Sequence, residues 1–282
     1  MITEASNAPT LSVSIVVHNS CLDQLRITLN SLLVSVAALE EFLPEPVAIT
    51  LLDNCSAPDY YEKLQALLSD MAIAESPSLC FALHRSDKNS GFGGGHNQLS
   101  RLQPGRYFLI LNPDVELAAD ALREALGYLE SHDEVVALNP YCERGDGSRE
   151  YLCKRYPSVL DLLLRGLPLA GLRQLFSRRL AYYEYRDAVA EDPRPVTLLS
   201  GACLLCRSEA FTAVGRFDER FFMYFEDFDL SRRLKSRGEL VFLPGMRIVH
   251  HGGFAARKGS QHIRWFARSA VRFFNLHGWR LL

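Results

Sequence analysis

The chain has 282 residues, 48% of them apolar and 23% charged, ordinary values for a soluble globular protein of one large domain or two small ones. These values exclude a disordered, collagen-like or coiled-coil chain. With 31 Lys and Arg against 33 Asp and Glu the formal charge is -2, so no global field draws the chain to nucleic acid.

Met1–Thr10 carries Glu4 and lacks the basic and apolar regions of a secretory signal. Leu11–Val17 is β-branched and apolar and predicts the first strand. Leu22, Leu25, Leu29, Leu32 and Val36 then recur at helical spacing, with Ser20 as N-cap and Asp23 three residues on. Val47–Leu52 predicts a strand, Pro58–Leu68 a helix with proline near its first turn, and Leu79–His84 and Tyr107–Leu111 two more strands. Ala118–Ser131 reads as helix and Val135–Leu138 as strand. Alternation of this kind predicts an α/β fold with a mainly parallel, Rossmann-like central sheet flanked by helices, and ligands bind such sheets at the carboxyl ends of the strands.

Tyr141–Pro195 breaks the pattern with many arginines and a helical stretch around Leu160–Leu164. A strand at Val196–Cys206, a helix near Ser208–Val214, a helix over Glu226–Arg237 stopped by Gly238, and strands at Leu240–Leu243 and Arg247–His250 follow. Five parts result: an N-terminal extension (1–10), a first half (11–140), a basic, irregular or mobile excursion (141–195), a smaller second half (196–251), and a basic amphipathic segment (252–282). That last segment holds six Lys or Arg and no acid. Its Arg264, Arg268 and Arg272 share one helical face, which suits either a helix docked on the domain or one lying on an anionic membrane surface. Cys203 and Cys206, inside an apolar run without a second pair, read as buried thiols and not as a zinc or redox site. No window reaches the roughly 18 apolar residues that span a bilayer. The expectation is a cytosolic, reduced protein.

Polar residues gather at strand ends: Asp53-Asn54, Asn112-Pro113-Asp114, and His250-His251. Each alone suits a turn or cap. Together, two carboxylates and an imidazole can converge on one divalent cation. The run Asn89–Asn97 has Gly91, Gly93 and Gly95 but does not complete a dinucleotide fingerprint; it offers backbone that approaches a phosphate or sugar closely. Phe217–Leu230 drives an aromatic wall into the acidic helix start Glu226-Asp227-Phe228-Asp229. Acids there complement the helix dipole, and desolvation by aromatics makes one of them a better base.

In this order, Ser12–Val17 with His18-Asn19, Leu52–Ser56, Asn89–Asn97, Leu111–Glu116, Gly201-Ala202, Gly215–Glu219, Phe221–Leu230 and His250–Gly253 resemble the family 2 glycosyltransferases, the inverting group on the GT-A fold. The bacterial rhamnosyltransferase branch is the most similar. The resemblance implies transfer of a sugar, L-rhamnose from dTDP-L-rhamnose or another UDP- or dTDP-sugar, to a lipid-linked or lipopolysaccharide saccharide at the cytoplasmic membrane face. It implies donor binding by Asp53, Asn89, Gly91, Gly93, Asn97 and Asn112, and a Mg²⁺ or Mn²⁺ at Asp114 with His250 or His251. Asp227 matches the catalytic base, supported by Glu226. Asn112 departs from the family's DxD motif by replacing its first acid. A catalytically silent sugar-nucleotide binder on the same fold is the rival reading.

Overall fold

The computed structural model describes residues 9–39, 46–73, 79–102, 104–166, 170–186, 192–252 and 259–282. Most of the expected N-terminal extension, and Gly253, Arg257 and Lys258 of the basic C-terminal segment, lie outside the described residues. In chain order come β1 (Leu11–Val17), α1 (Leu22–Ala37), β2 (Val47–Asp53), α2 (Pro58–Met71), β3 (Leu79–Arg85), α3 (Gly91–Leu102) and β4 (Tyr107–Leu111). All of them except α3, which the glycine-rich run opens, were readable from periodicity. Ser20 is not the cap of α1: Cys21 holds that position without a side-chain bond, and the Ser20 hydroxyl accepts the His18 amide. Pro58 stands at the start of α2, where its missing N–H costs nothing. The strands pair in parallel as β3-β2-β1-β4, which brings Val17, Asp53, Arg85 and Leu111 to one edge.

The second half continues with β5 (Val115–Leu117), α4 (Ala121–Ser131), β6 (Val135–Arg144), β7 (Arg149–Glu150), α5 (Val159–Gly166), α6 (Ala170–Leu175), α7 (Ser177–Tyr183), β8 (Arg194–Pro195), β9 (Cys203–Arg207), α8 (Ser208–Ala213), α9 (Glu226–Leu234), β10 (Glu239–His250) and α10 (Ser260–His277). One sheet runs β3-β2-β1-β4-β9-β6-β10-β5. The mainly parallel order expected holds for β1 to β4 and for β6 beside β10, within a sheet that is mixed: β9 is antiparallel to both β4 and β6, and β5 to β10. A central strand buried on both faces is apolar in either direction, so its sequence does not reveal its sense. The expected strand at Val196–Cys206 begins only at Cys203, because Leu198 pairs with Lys154 and Gly201–Ala202 turn. The two short strands expected at Leu240–Leu243 and Arg247–His250 are one, with a register shift between Leu243 and Arg247. Gly238 is no helix cap either; a Cβ there would collide with the Glu134 carbonyl. Cys203 and Cys206 are free and buried, as expected.

Helix α10 is docked on the domain. Phe273 and Phe274 are buried with Phe221 and Phe225 in an aromatic cluster, flanked by Tyr156, Phe228 and Phe266. Arg272 turns inward, donating to the Arg220 carbonyl with its guanidinium over the Phe221 ring. The three arginines therefore do not form one solvent-facing row, and Ser269, Ala270, Phe273 and Phe274 make the buried side of the helix. Phe273→Ala should lower the unfolding free energy by about 3–5 kcal/mol, the range for emptying a buried phenyl site, as read from denaturant midpoints. A loss under about 1 kcal/mol would mean the helix is not part of the cooperative unit.

Candidate active site

Two strand ends meet at Asp114 and His250. His250 Nε2 lies 3.3 Å from Asp114 Oδ1, and its Nδ1 lies 3.1 Å from Glu150 Oε2 on β7. Burial alone would depress the imidazole, but the hydrogen bonds and charges of Asp114 and Glu150 outweigh it and hold its pKa at about 9. His251 points elsewhere, to Glu116 at 2.9 Å, while its backbone N–H donates to the Asp114 carbonyl. Of the two histidines, His250 faces Asp114. Gly252 closes over the pair: a Cβ there would lie 2.6 Å from both Asp114 Oδ2 and His250 Nε2.

At the end of β2, Asp53 is fully buried; Oδ1 accepts the Ser56 amide, and Arg85 Nε stands 3.2 Å from Oδ2. Asn54 does more than its place in the motif suggested. Its Oδ1 accepts from the Ser90 amide and hydroxyl, and its Nδ2 donates to Asn89 Oδ1 and the Gly91 carbonyl. Asn89 Oδ1 in turn takes the Gly91 amide. The Asn89–Gly95 run opens α3, and its glycines serve close packing. Gly91 has φ +75 and no room for a Cβ against the Phe222 carbonyl, which accepts the Phe92 amide. A Cβ at Gly93 would sit 2.7 Å from Phe217 Cβ, and one at Gly95 2.8 Å from Val16 Cγ1. Asn97, expected at the donor, is committed within the protein: Nδ2 donates to the Phe217 carbonyl and Glu219, and Oδ1 accepts the Phe217 amide. Gly93 and Asn97 thus brace α3 against the Phe217 segment. Periodicity cannot separate glycines that admit a ligand from glycines that admit a neighbouring backbone. His96, fully buried beside Ser14, has its pKa drawn down to about 3 by burial and stays neutral.

The third cluster heads α9. Tyr224 and Phe225 both hold left-handed φ values, 69 and 65, just before Glu226. Such residues cost about 1–3 kcal/mol each and persist where surrounding packing imposes them; here the aromatic cluster does so. Asp227 Oδ2 accepts the Gly201 amide at 3.0 Å and Oδ1 the Phe228 amide at 2.8 Å. Burial raises its pKa to about 6 despite these bonds and the nearby Lys154 charge. Burial, and then the Asp227 charge, push Glu226 well above the carboxylate range. Asp229 is occupied by Arg233 at 2.7 Å and His277 at 2.8 Å, which excludes it as an acid open to a ligand.

One turn joins these clusters. The Asn112 amide donates to the Ala202 carbonyl, next to the Gly201 that holds Asp227. Buried Asn139 grips that turn, accepting the Ser200 amide and donating to the Ser200 and Cys203 carbonyls. Ser231 Oγ donates to the Asp227 carbonyl and accepts the Leu199 amide. Sequence reasoning passed over Asn139, Glu150, Lys154 and Ser231. Only Asn139, a polar residue continuing the apolar run Val135–Leu138, carried a local signal. Chemically, the edge offers an imidazole–carboxylate pair suited to a cation and, across the turn, a carboxylate tuned to accept a proton near neutral pH.

A family model described as Glycosyl transferase family 2 matches residues 12–215. An N-acetylglucosaminyl-diphospho-decaprenol L-rhamnosyltransferase of Mycobacterium tuberculosis is 37% identical over 170 residues, 59% of this chain and 54% of the relative. The chain's match thus spans about half that relative's length. Rhamnosyltransferase WbbL of Escherichia coli is 27% identical over 240 residues, covering 79% of this chain and 86% of the relative. Among solved structures, GalNAc-T7 with UDP, GalNAc and Mn²⁺ superposes with a TM-score of 0.64 at 18% identity, over 96% of this chain and 48% of that one. The mannosyltransferase PcManGT of Pyrobaculum calidifontis, with GDP-Man and Mn²⁺, gives 0.57 at 15%, over 94% and 65%. With strand ends, sheet order and relatives in agreement, the chain belongs to glycosyl transferase family 2 and carries its GT-A fold.

Proposed function

We propose that the chain transfers L-rhamnose from dTDP-L-rhamnose to a hydroxyl of a lipid-linked or lipopolysaccharide saccharide at the inner face of a bacterial membrane, with inversion at the anomeric carbon. The observation that carries this reading is the Asp227 carboxylate: half-buried, fixed by two backbone amides, and tuned to about 6. The names of the two relatives support the sugar and, for one of them, the lipid diphosphate acceptor. Asp53, Asn89, Gly91 and Asn112 shape the donor pocket in the first half. Glu150 and Lys154, from the basic excursion, stand behind the second.

Asp114 and His250 would hold a divalent cation, Mg²⁺ or Mn²⁺. The donor set fits: two ligand atoms of one cation stand about 3 Å apart, and the other imidazole nitrogen rests on a carboxylate, as ligating histidines do. Two protein ligands leave the remaining positions to diphosphate oxygens and water. When bound, the cation supplies charge neutralisation to the departing diphosphate. The Mn²⁺ in the GalNAc-T7 and PcManGT structures supports this.

In the transfer, the acceptor oxygen forms its bond to the anomeric carbon as the bond to the diphosphate oxygen breaks, and that electron pair leaves with the diphosphate. The acceptor proton passes to Asp227. Glu226, kept neutral, leaves the negative charge of the pair on Asp227. Incubation with a panel of dTDP-, UDP- and GDP-sugars should release nucleotide fastest from dTDP-L-rhamnose, by about tenfold or more, since a site built for one sugar discriminates at least that well. Faster release from another donor would change the sugar. Binding without turnover of any would favour the silent binder.

A further inference from the structure

Among the described residues, ten of the thirteen exposed large apolar side chains fall in two segments, 163–182 and 263–282. These segments adjoin. The Val159 and Leu160 amides donate to the Arg280 and Leu281 carbonyls, and Tyr156 Oη to that of Gly278. Leu163 lies one turn beyond Val159, on the edge that meets the C-terminal residues. Arg173 docks α6 on the end of α5 by donating to the Leu164 and Arg165 carbonyls, and Leu172 and Leu175, three apart, share its outer side. Exposed leucines of both segments thus gather with Trp279 where the segments adjoin, Leu175 being 76% and Leu281 69% exposed.

The charge around these side chains has one sign. Residues 159–186 and 259–282 contain nine arginines and two acids. Both acids are buried in ion pairs, Asp161 with Arg179 and Glu184 with Arg165 and Arg186. Arg178, Arg264, Arg268 and Arg280 are exposed. We infer that this face, formed by α5, α6, the outer side of α10 and the residues after it, docks on an anionic lipid bilayer. Hydrocarbon receives the leucines and Trp279, and lipid phosphates the guanidinium groups. The inner side of α10 packs on Phe225, so docking here would fix the attitude of Asp227 to the membrane. The inference adds a location to the function proposed above without depending on it, since these side chains are remote from the reacting acids in their contacts.

The full chain should co-sediment with vesicles of phosphatidylcholine containing one quarter phosphatidylglycerol, about tenfold or more tightly than with phosphatidylcholine alone, and release as salt rises. Leu175→Glu/Leu281→Glu should weaken that binding about tenfold with melting temperature and donor hydrolysis unchanged. Arg264→Ser/Arg268→Ser, outside that apolar group, should do likewise if the first variant fails to fold. Absence of binding at low salt, or unaltered binding by folded variants of both kinds, would overturn the proposal. So would a concentration-dependent mass in light scattering, without lipid, that the variants abolish, since the face would then join two copies. Donor hydrolysis, measured alongside, fails only if the reaction itself is misassigned.

Discussion

Replacing Asp227 by Asn should lower kcat by about 10²–10⁴ while leaving donor affinity nearly unchanged, because general-base contributions fall in that range. The amide keeps the volume, and its oxygen can still accept a backbone amide, but it cannot take a proton. In the parent protein kcat/KM should rise with pH through about 6, the value to which burial lifts this carboxylate, and then level off. The variant should lose that rise. Its stability carries a sign as well. A carboxylate whose folded pKa is raised stabilises the fold below its ordinary pKa and loses that contribution as pH climbs through the raised value. Above pH 6, therefore, the neutral Asn should melt no lower than the parent. A variant with more than about a tenth of parental transfer would move the base to Glu226.

Asp114→Ala should weaken donor binding chiefly when metal is present, and chelation should abolish transfer by the parent protein. The reason lies in the 3.3 Å approach of Asp114 to His250: with the carboxylate gone, one protein ligand remains, and affinity for a hard cation falls with each oxygen removed. Mn²⁺ titration followed by electron paramagnetic resonance measures this apart from catalysis, and we expect a loss of about tenfold or more. Full transfer in excess chelator would mean that the diphosphate charge is met by side chains alone.

What could be read in advance tracks the range of the physics. The β3-β2-β1-β4 half follows from local periodicity, and so do Asp53, Asp114 and Asp227, each of which stands where an apolar run ends. Illegible were the decisions made by distant partners. The direction of β9 depends on both neighbours at once. Nothing nearby in sequence announces that Gly93 and Asn97 pack on Phe217, 120 residues after Asn97. Glu150 reaches His250 across 100 residues, from a stretch whose composition suggested only a basic excursion. His250 ends β10 and His251 follows it, so a shift of one residue exchanges their faces; Asp114 decides between them.

The position of β10 bears on how much of the chain makes a working unit. The family match stops at residue 215, but β10 lies between β6 and β5 as an interior strand. A fragment excised at that boundary would keep Asp53, Asn89 and Asp114 and lose Asp227, His250 and a strand that covers two open edges. Unpaired edges of that kind invite association with other chains. The left-handed Tyr224-Phe225 step would also lose the aromatic packing from α10 that imposes it. The smallest portable module of this protein therefore extends through α10, and its last helix belongs to the catalytic unit as fully as its first strand.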